Sequence, residues 1–160
     1  MVLIEAVPSE RVPVATNRPL HGTVLAFDFG ERRIGVAVGE LETGIAHPVE
    51  TIDAIANERK FARIALLIRE WRPVLLVVGL PLAMDGSEHR MTALARKFAN
   101  RLRGRFTIET LLVDERLTSA TAESDARGSG VKRRKIKQHV DPLAAQQILD
   151  SYFRDKHVVA

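Results

Sequence analysis

A chain of 160 residues is too short for two domains of ordinary size but long enough for one that buries about 70% of its unfolded surface. Its 46% apolar and 28% charged residues exclude disordered, collagenous and membrane classes, and the absence of cysteine excludes disulfide scaffolds, thiolate nucleophiles and cysteine-ligated metals. The 24 Lys and Arg against 20 Asp and Glu leave a net charge of +4, which matters only where it is gathered.

Residues 1–21 hold Pro8, Pro13 and Pro19 without periodicity and read as an extended or disordered arm. No cleavage pattern or span of about 18 to 20 apolar residues appears, so a cytoplasmic protein with no membrane partner is expected. One domain is expected over 22–154, with 155–160 as a tail. Thr23–Asp28, Ile34–Gly39 and Gly44–Ile52 are short β-rich segments joined by tight turns, the pattern of an antiparallel meander. Asn57–Trp71 carries Phe61, Ile64, Ala65 and Ile68 at helical spacing and stops before Pro73.

Val74–Val78 is a continuous apolar run, as in a strand buried on both faces. Ser87 is the expected cap of a second helix to about Arg103, followed by a strand over Thr107–Val113. A third helix is expected from Thr118 or Ser119 to Arg127, and a last one from Asp141 to Phe153. This order predicts an α/β fold with a mixed five-stranded sheet, three antiparallel strands then parallel ones, flanked by helices.

Three positions draw attention for chemistry. Asp28 ends the first strand ahead of Gly30, where a turn-forming role is equally served. Asp114 and Glu115 end the last strand before Arg116, which could simply pair with them. Asp141 precedes Pro142, the combination that starts a helix for structural reasons alone. Together these carboxylates can converge at the carboxyl ends of a sheet, where open α/β folds place their sites.

The segments Leu25-Ala26-Phe27-Asp28-Phe29-Gly30, Val77-Val78-Gly79-Leu80-Pro81-Leu82, Asp114-Glu115-Arg116-Leu117-Thr118 and Val140-Asp141-Pro142-Leu143-Ala144-Ala145 occur in the order and spacing of the bacterial YqgF family, also called RuvX. That family resembles the RuvC Holliday junction resolvases of the ribonuclease H-like superfamily. The resemblance spans about Gly22 to Phe153 and implies a ribonuclease H-like nuclease, with maturation of the 5′ end of pre-16S rRNA as the family's usual role.

By motif, Asp28, Glu115 and Asp141 match the family's acidic triad, as catalytic residues and as ligands of two Mg²⁺ or Mn²⁺ ions, Asp28 being shared. Successive strand side chains point to opposite faces, so Glu115 is preferred and Asp114 is the alternative ligand. Ala83 departs from the polar residue expected in its loop, which is therefore assigned no catalytic contact. Phosphodiester cleavage suits this donor set, because hard divalent cations choose oxygen ligands and paired ions can clamp the attacking and leaving oxygens.

His21, His47, His89, His139 and His157 are dispersed and form no ligand pair, although His139 lies two residues from Asp141. Arg127, Lys132, Arg133, Arg134, Lys135 and Lys137 form a run without an acid that leads into Asp141. Such a run can be a solvated loop, which Gly128 and Gly130 favour, but beside three carboxylates it suits a polyanionic substrate. Arg32 and Arg33 would add phosphate contacts. Aromatics are too few for recognition by base stacking, which leaves backbone and shape.

The expected partner is thus pre-rRNA or branched DNA, bound by a monomer or homodimer; junction resolution would require the dimer. A non-catalytic nucleic-acid-binding module is the alternative outside the nucleases. An actin-like ATPase is disfavoured because the chain lacks the length for a second lobe.

Overall fold

The computed structural model describes residues 19–116 and 133–155, with the backbone alone for 133–141 and 155. Its strands are β1 (Thr23–Phe29), β2 (Arg33–Glu40), β3 (Ile45–Asp53), β4 (Leu75–Leu80) and β5 (Thr110–Asp114). Its helices are α1 (Asn57–Trp71), α2 (Arg90–Phe106) and α3 (Arg133–Asp155). The sheet order is β3-β2-β1-β4-β5. β1–β2 and β2–β3 are antiparallel, whereas β1–β4 and β4–β5 are parallel, as the sequence implies.

Strand alternation divides the core in two. Leu25 and Phe27 of β1 and Leu76, Val78 and Leu80 of β4 join Phe61, Ile64 and Leu67 of α1 and Ala95, Phe98 and Leu102 of α2. On the other face, Val24, Ala26, Val77, Leu111 and Val113 meet Ala145, Ile148, Leu149 and Tyr152 of α3. β4 is buried along its whole length because it lies between two strands and beneath helices on both sides. Edge strand β3 accommodates Pro48 beside a register shift at Val36/Ala37, where a missing donor is tolerated.

Three boundaries differ from the sequence reading. Ser87 does not cap α2: it belongs to the preceding loop, where its N–H bonds Asp85 Oδ1 at 2.9 Å. His89 takes the cap position, its N–H donating to Thr92 Oγ1 at 3.0 Å, and buried Thr92 donates in turn to the Pro81 carbonyl. β5 starts at Thr110 rather than Thr107, because Thr107 adopts a left-handed conformation (φ 55°) and closes α2 by donating its N–H to the Arg103 carbonyl.

The third difference is that the last helix does not begin at Asp141. Helical backbone starts at Arg133, so Pro142 lies inside α3. Proline deprives the Gln138 carbonyl of its partner. Helix-favouring Lys, Arg and Gln residues precede it, and the buried Ala144, Ala145, Ile148 and Leu149 anchor the part that follows. Four members of the basic run, Arg133, Arg134, Lys135 and Lys137, therefore have helical rather than loop backbone. Residues 1–18 of the arm, the helix expected between Thr118 and Arg127, and residues 156–160 lie outside the described residues.

Candidate active site

The carboxyl end of β1 carries Asp28 on the face covered by α3, because Val24 and Ala26 point there and the side chains alternate. Its antiparallel partner on β2 is Gly35. On the other side Phe27 pairs with Val78, so the next residue on β4 is Gly79. Asp28 is thus flanked on both neighbouring strands by glycines.

Gly79 occupies the same row as Val113 of β5, and a Cβ placed on it would lie 2.7 Å from Glu115 Oε1 and collide with Ile148 of α3. The Glu115 carboxyl therefore lies over the bare backbone of β4, on the same face as Asp28. A glycine inside a buried strand is the sequence signal for such a close approach. The Glu115 N–H donates to the Leu80 carbonyl at 3.3 Å, which continues the β4–β5 pairing past the end of the strand.

Asp114 pairs with Leu80, whose side chain belongs to the α1/α2 core, so it points to the opposite face from Glu115. Arg116 clamps it. The guanidinium Nε lies 2.9 and 3.1 Å from the two oxygens, Nη2 lies 2.5 Å from Oδ2, and the Arg116 N–H reaches Oδ1 at 3.0 Å. Arg116 Nη1 also donates to the Met84 carbonyl at 3.2 Å, tying the loop between β4 and α2 to the end of β5. Burial, followed by the negative charge of Asp114, pushes the Glu115 carboxyl up to about 7.

The structure brings Asp28 and Glu115 to one face at one end of the sheet. Asp141 has helical backbone in α3, whose later residues cover that face, and its side chain lies outside the described residues. Among the described residues no three His, Asp or Glu side chains form a metal-binding group. Arg32, exposed in the β1–β2 turn, and Arg33, which opens β2, stand at the same end of the sheet as Asp28.

Arg127 and Lys132, together with the side chains of Arg133, Arg134, Lys135, Lys137 and His139 and the whole of His157, lie outside the described residues. His21 contacts Glu42 at 3.7 Å, His47 is exposed on β3, and His89 caps α2. Among the described residues no helix is long and apolar enough to cross a membrane.

The family described as "RuvX: Holliday junction resolvase" matches residues 22–155. A protein of Methylobacillus flagellatus named "Putative pre-16S rRNA nuclease" is 57% identical over 141 residues, covering 88% of this chain and 94% of that protein. Proteins of the same name from Nitrosospira multiformis and Chromobacterium violaceum are 52% and 56% identical, over 88% and 81% of this chain and 93% and 95% of theirs. Among solved structures, Thermus thermophilus RuvC in complex with Holliday junction substrate aligns with a TM-score of 0.54 at 16% identity, covering 86% of this chain and 99% of that one. Fowlpox virus resolvase bound to Holliday junction DNA aligns with a TM-score of 0.55 at 10% identity, covering 84% and 98%. These two likenesses establish the ribonuclease H-like fold.

Proposed function

The chain belongs to the RuvX family, and from that membership we propose that it is a divalent-metal-dependent endonuclease that processes the 5′ end of pre-16S rRNA. The observation that carries this reading is the position of Asp28 and Glu115 on one sheet face, separated by the bare backbone of Gly79. Two carboxylates brought together, one of them buried, are electrostatically costly, and a divalent cation would offset that cost. The donor set fits Mg²⁺ or Mn²⁺, which take oxygen ligands. Asp28, Glu115 and Asp141 would hold the metal, which when bound supplies positive charge to the attacking and leaving oxygens of the phosphodiester.

The chain's own residues do the remaining work. Gly79, which has no side chain, admits Glu115 over the backbone of β4 on the face that carries Asp28. Arg116 pairs with Asp114 and holds it on the far face, away from the face of Asp28 and Glu115. Arg32, Arg33, Arg127 and the basic residues from Lys132 to Lys137 attract phosphates of either strand type, which gives affinity without reading sequence.

Cutting four-way DNA is the second reading, favoured by the description of the family itself. Incubation with 5′-extended 16S precursor and with junction DNA, in Mg²⁺ and in EDTA, separates the two. Metal-dependent trimming of the precursor is the expected outcome. Cleavage of the junction alone would assign the chain to the second reading, and cleavage of neither would remove the enzymatic one.

A further inference from the structure

Away from the carboxylates, on the α1/α2 face, a cavity of about 220 Å³ is bordered by Phe29, Glu31, Lys60, Lys97, Phe98 and Arg101. Phe29 follows Asp28 directly, but its side chain packs with the α1/α2 core, so this cavity and the carboxylates lie on opposite faces of the sheet. Three of the bordering residues are cationic. The single carboxylate among them, Glu31, is paired with Arg90 through two hydrogen bonds at 2.6 and 2.8 Å.

Lys60 is only 7% exposed, and among the described residues its ammonium has no hydrogen bond or ion pair. It lies 5.5, 5.3 and 5.9 Å from the ring centroids of Phe29, Phe61 and Phe98. Those rings attract a cation, which offsets part of the cost of burial, and they leave its N–H donors to the cavity that the side chain borders. Burial, then the charges of Arg101 and Arg105, lower its pKa, as expected of like charges gathered without a counter-ion. The first turn of α1 also borders the cavity through Asn57.

We propose that this cavity is a phosphate-binding site, in which Lys60, Lys97 and Arg101 receive one phosphate group on the face opposite the carboxylates. An ammonium and a guanidinium fork supply donors suited to phosphate oxygens, and a half-enclosed cluster of like charge concentrates the field on an anion. The volume suits a phosphate with part of its sugar. The phosphate can come from an RNA strand that passes around the β1–β2 turn or from a free mononucleotide.

The test uses the full chain in EDTA at constant ionic strength, titrated calorimetrically with inorganic phosphate, with AMP, and with a short RNA carrying a 5′-phosphate or a 5′-hydroxyl. Affinity for inorganic phosphate is expected to fall at least tenfold in the Lys97→Gln/Arg101→Gln variant, whose positions are not core, and in Lys60→Met, which keeps the aliphatic stem. Asp28→Asn should bind phosphate as the wild type does, so the outcome stands apart from that of the nuclease reading. Phosphate-sensitive binding of the RNA identifies the strand as the source; binding of AMP alone identifies a free nucleotide. Equal phosphate affinity in wild type and Lys97→Gln/Arg101→Gln, or its loss in Asp28→Asn, would overturn the proposal.

Discussion

Replacing Glu115 by Gln removes a charge while keeping the shape that lies over Gly79, and its effect should depend on pH in a defined direction. The folded carboxyl titrates at about 7 and the ordinary one at 4.5, so between those values the folded chain retains a proton that the unfolded chain has released. Folding is then favoured at low pH, and the contribution is lost as pH rises through about 7. Each pH unit in that window removes about 1.4 kcal/mol, or about 3 kcal/mol in all. For a chain of this size that corresponds to roughly 6 to 12 °C in melting temperature.

The assay is thermal unfolding of metal-free wild type and Glu115→Gln from pH 5 to pH 8. Comparing the two chains cancels other groups, including Asp150, whose pKa burial also raises. Relative to the wild type, the variant should gain stability from pH 5 to about pH 7 and gain little more towards pH 8. A difference between the two that stays constant across the range would refute the reasoning, because it would mean that Glu115 is not desolvated in the folded chain.

Gly79→Ala introduces a methyl group that meets Ile148 and Glu115, and should cost about 1 to 3 kcal/mol in urea denaturation while slowing cleavage; an unperturbed variant would disprove the close approach. Thr92→Val leaves the Pro81 carbonyl and the His89 N–H without their shared partner, a loss of about 1 to 3 kcal/mol by the same measurement, and a change below about 0.5 would show that the bridge is dispensable. Reversing Lys132 and Arg134 to Glu should weaken RNA binding and make its dependence on salt shallower by about 0.7 to 0.9 for each phosphate no longer neutralised; an unchanged slope in filter binding would detach the basic run from the substrate.

Much of this architecture is legible because burial imposes a period. The run from Val74 to Val78 announces a strand covered on both faces, found at Leu75–Leu80, and Phe61, Ile64 and Ile68 announce α1. Alternation alone separates Asp114 from Glu115, and the two do point to opposite faces. The start of α3 is not legible, because Asp141-Pro142 carries the same local signal as a true helix start and only packing of the following apolar residues supports a proline within the helix.

Lys60 shows the same limit from the other side. Within an amphipathic pattern it reads as a surface charge, yet Phe29, Phe61 and Phe98, from three separate elements, bury it. Gly79 is visible as an interruption in an apolar run. What it makes room for depends on the β4–β5 register and on the crossing of α3, neither of which is local.

If Asp28 acts with its neighbouring carboxylates on a phosphodiester, removing its charge must slow the chemical step itself. Single-turnover cleavage of 5′-extended 16S precursor in Mg²⁺ by wild type and Asp28→Asn, at matched RNA binding and melting temperature, tests this most directly. The expected result is a rate lower by about a thousandfold in the variant, the consequence of losing several kcal/mol of transition-state stabilisation. Cleavage by Asp28→Asn within a few-fold of wild type would contradict it.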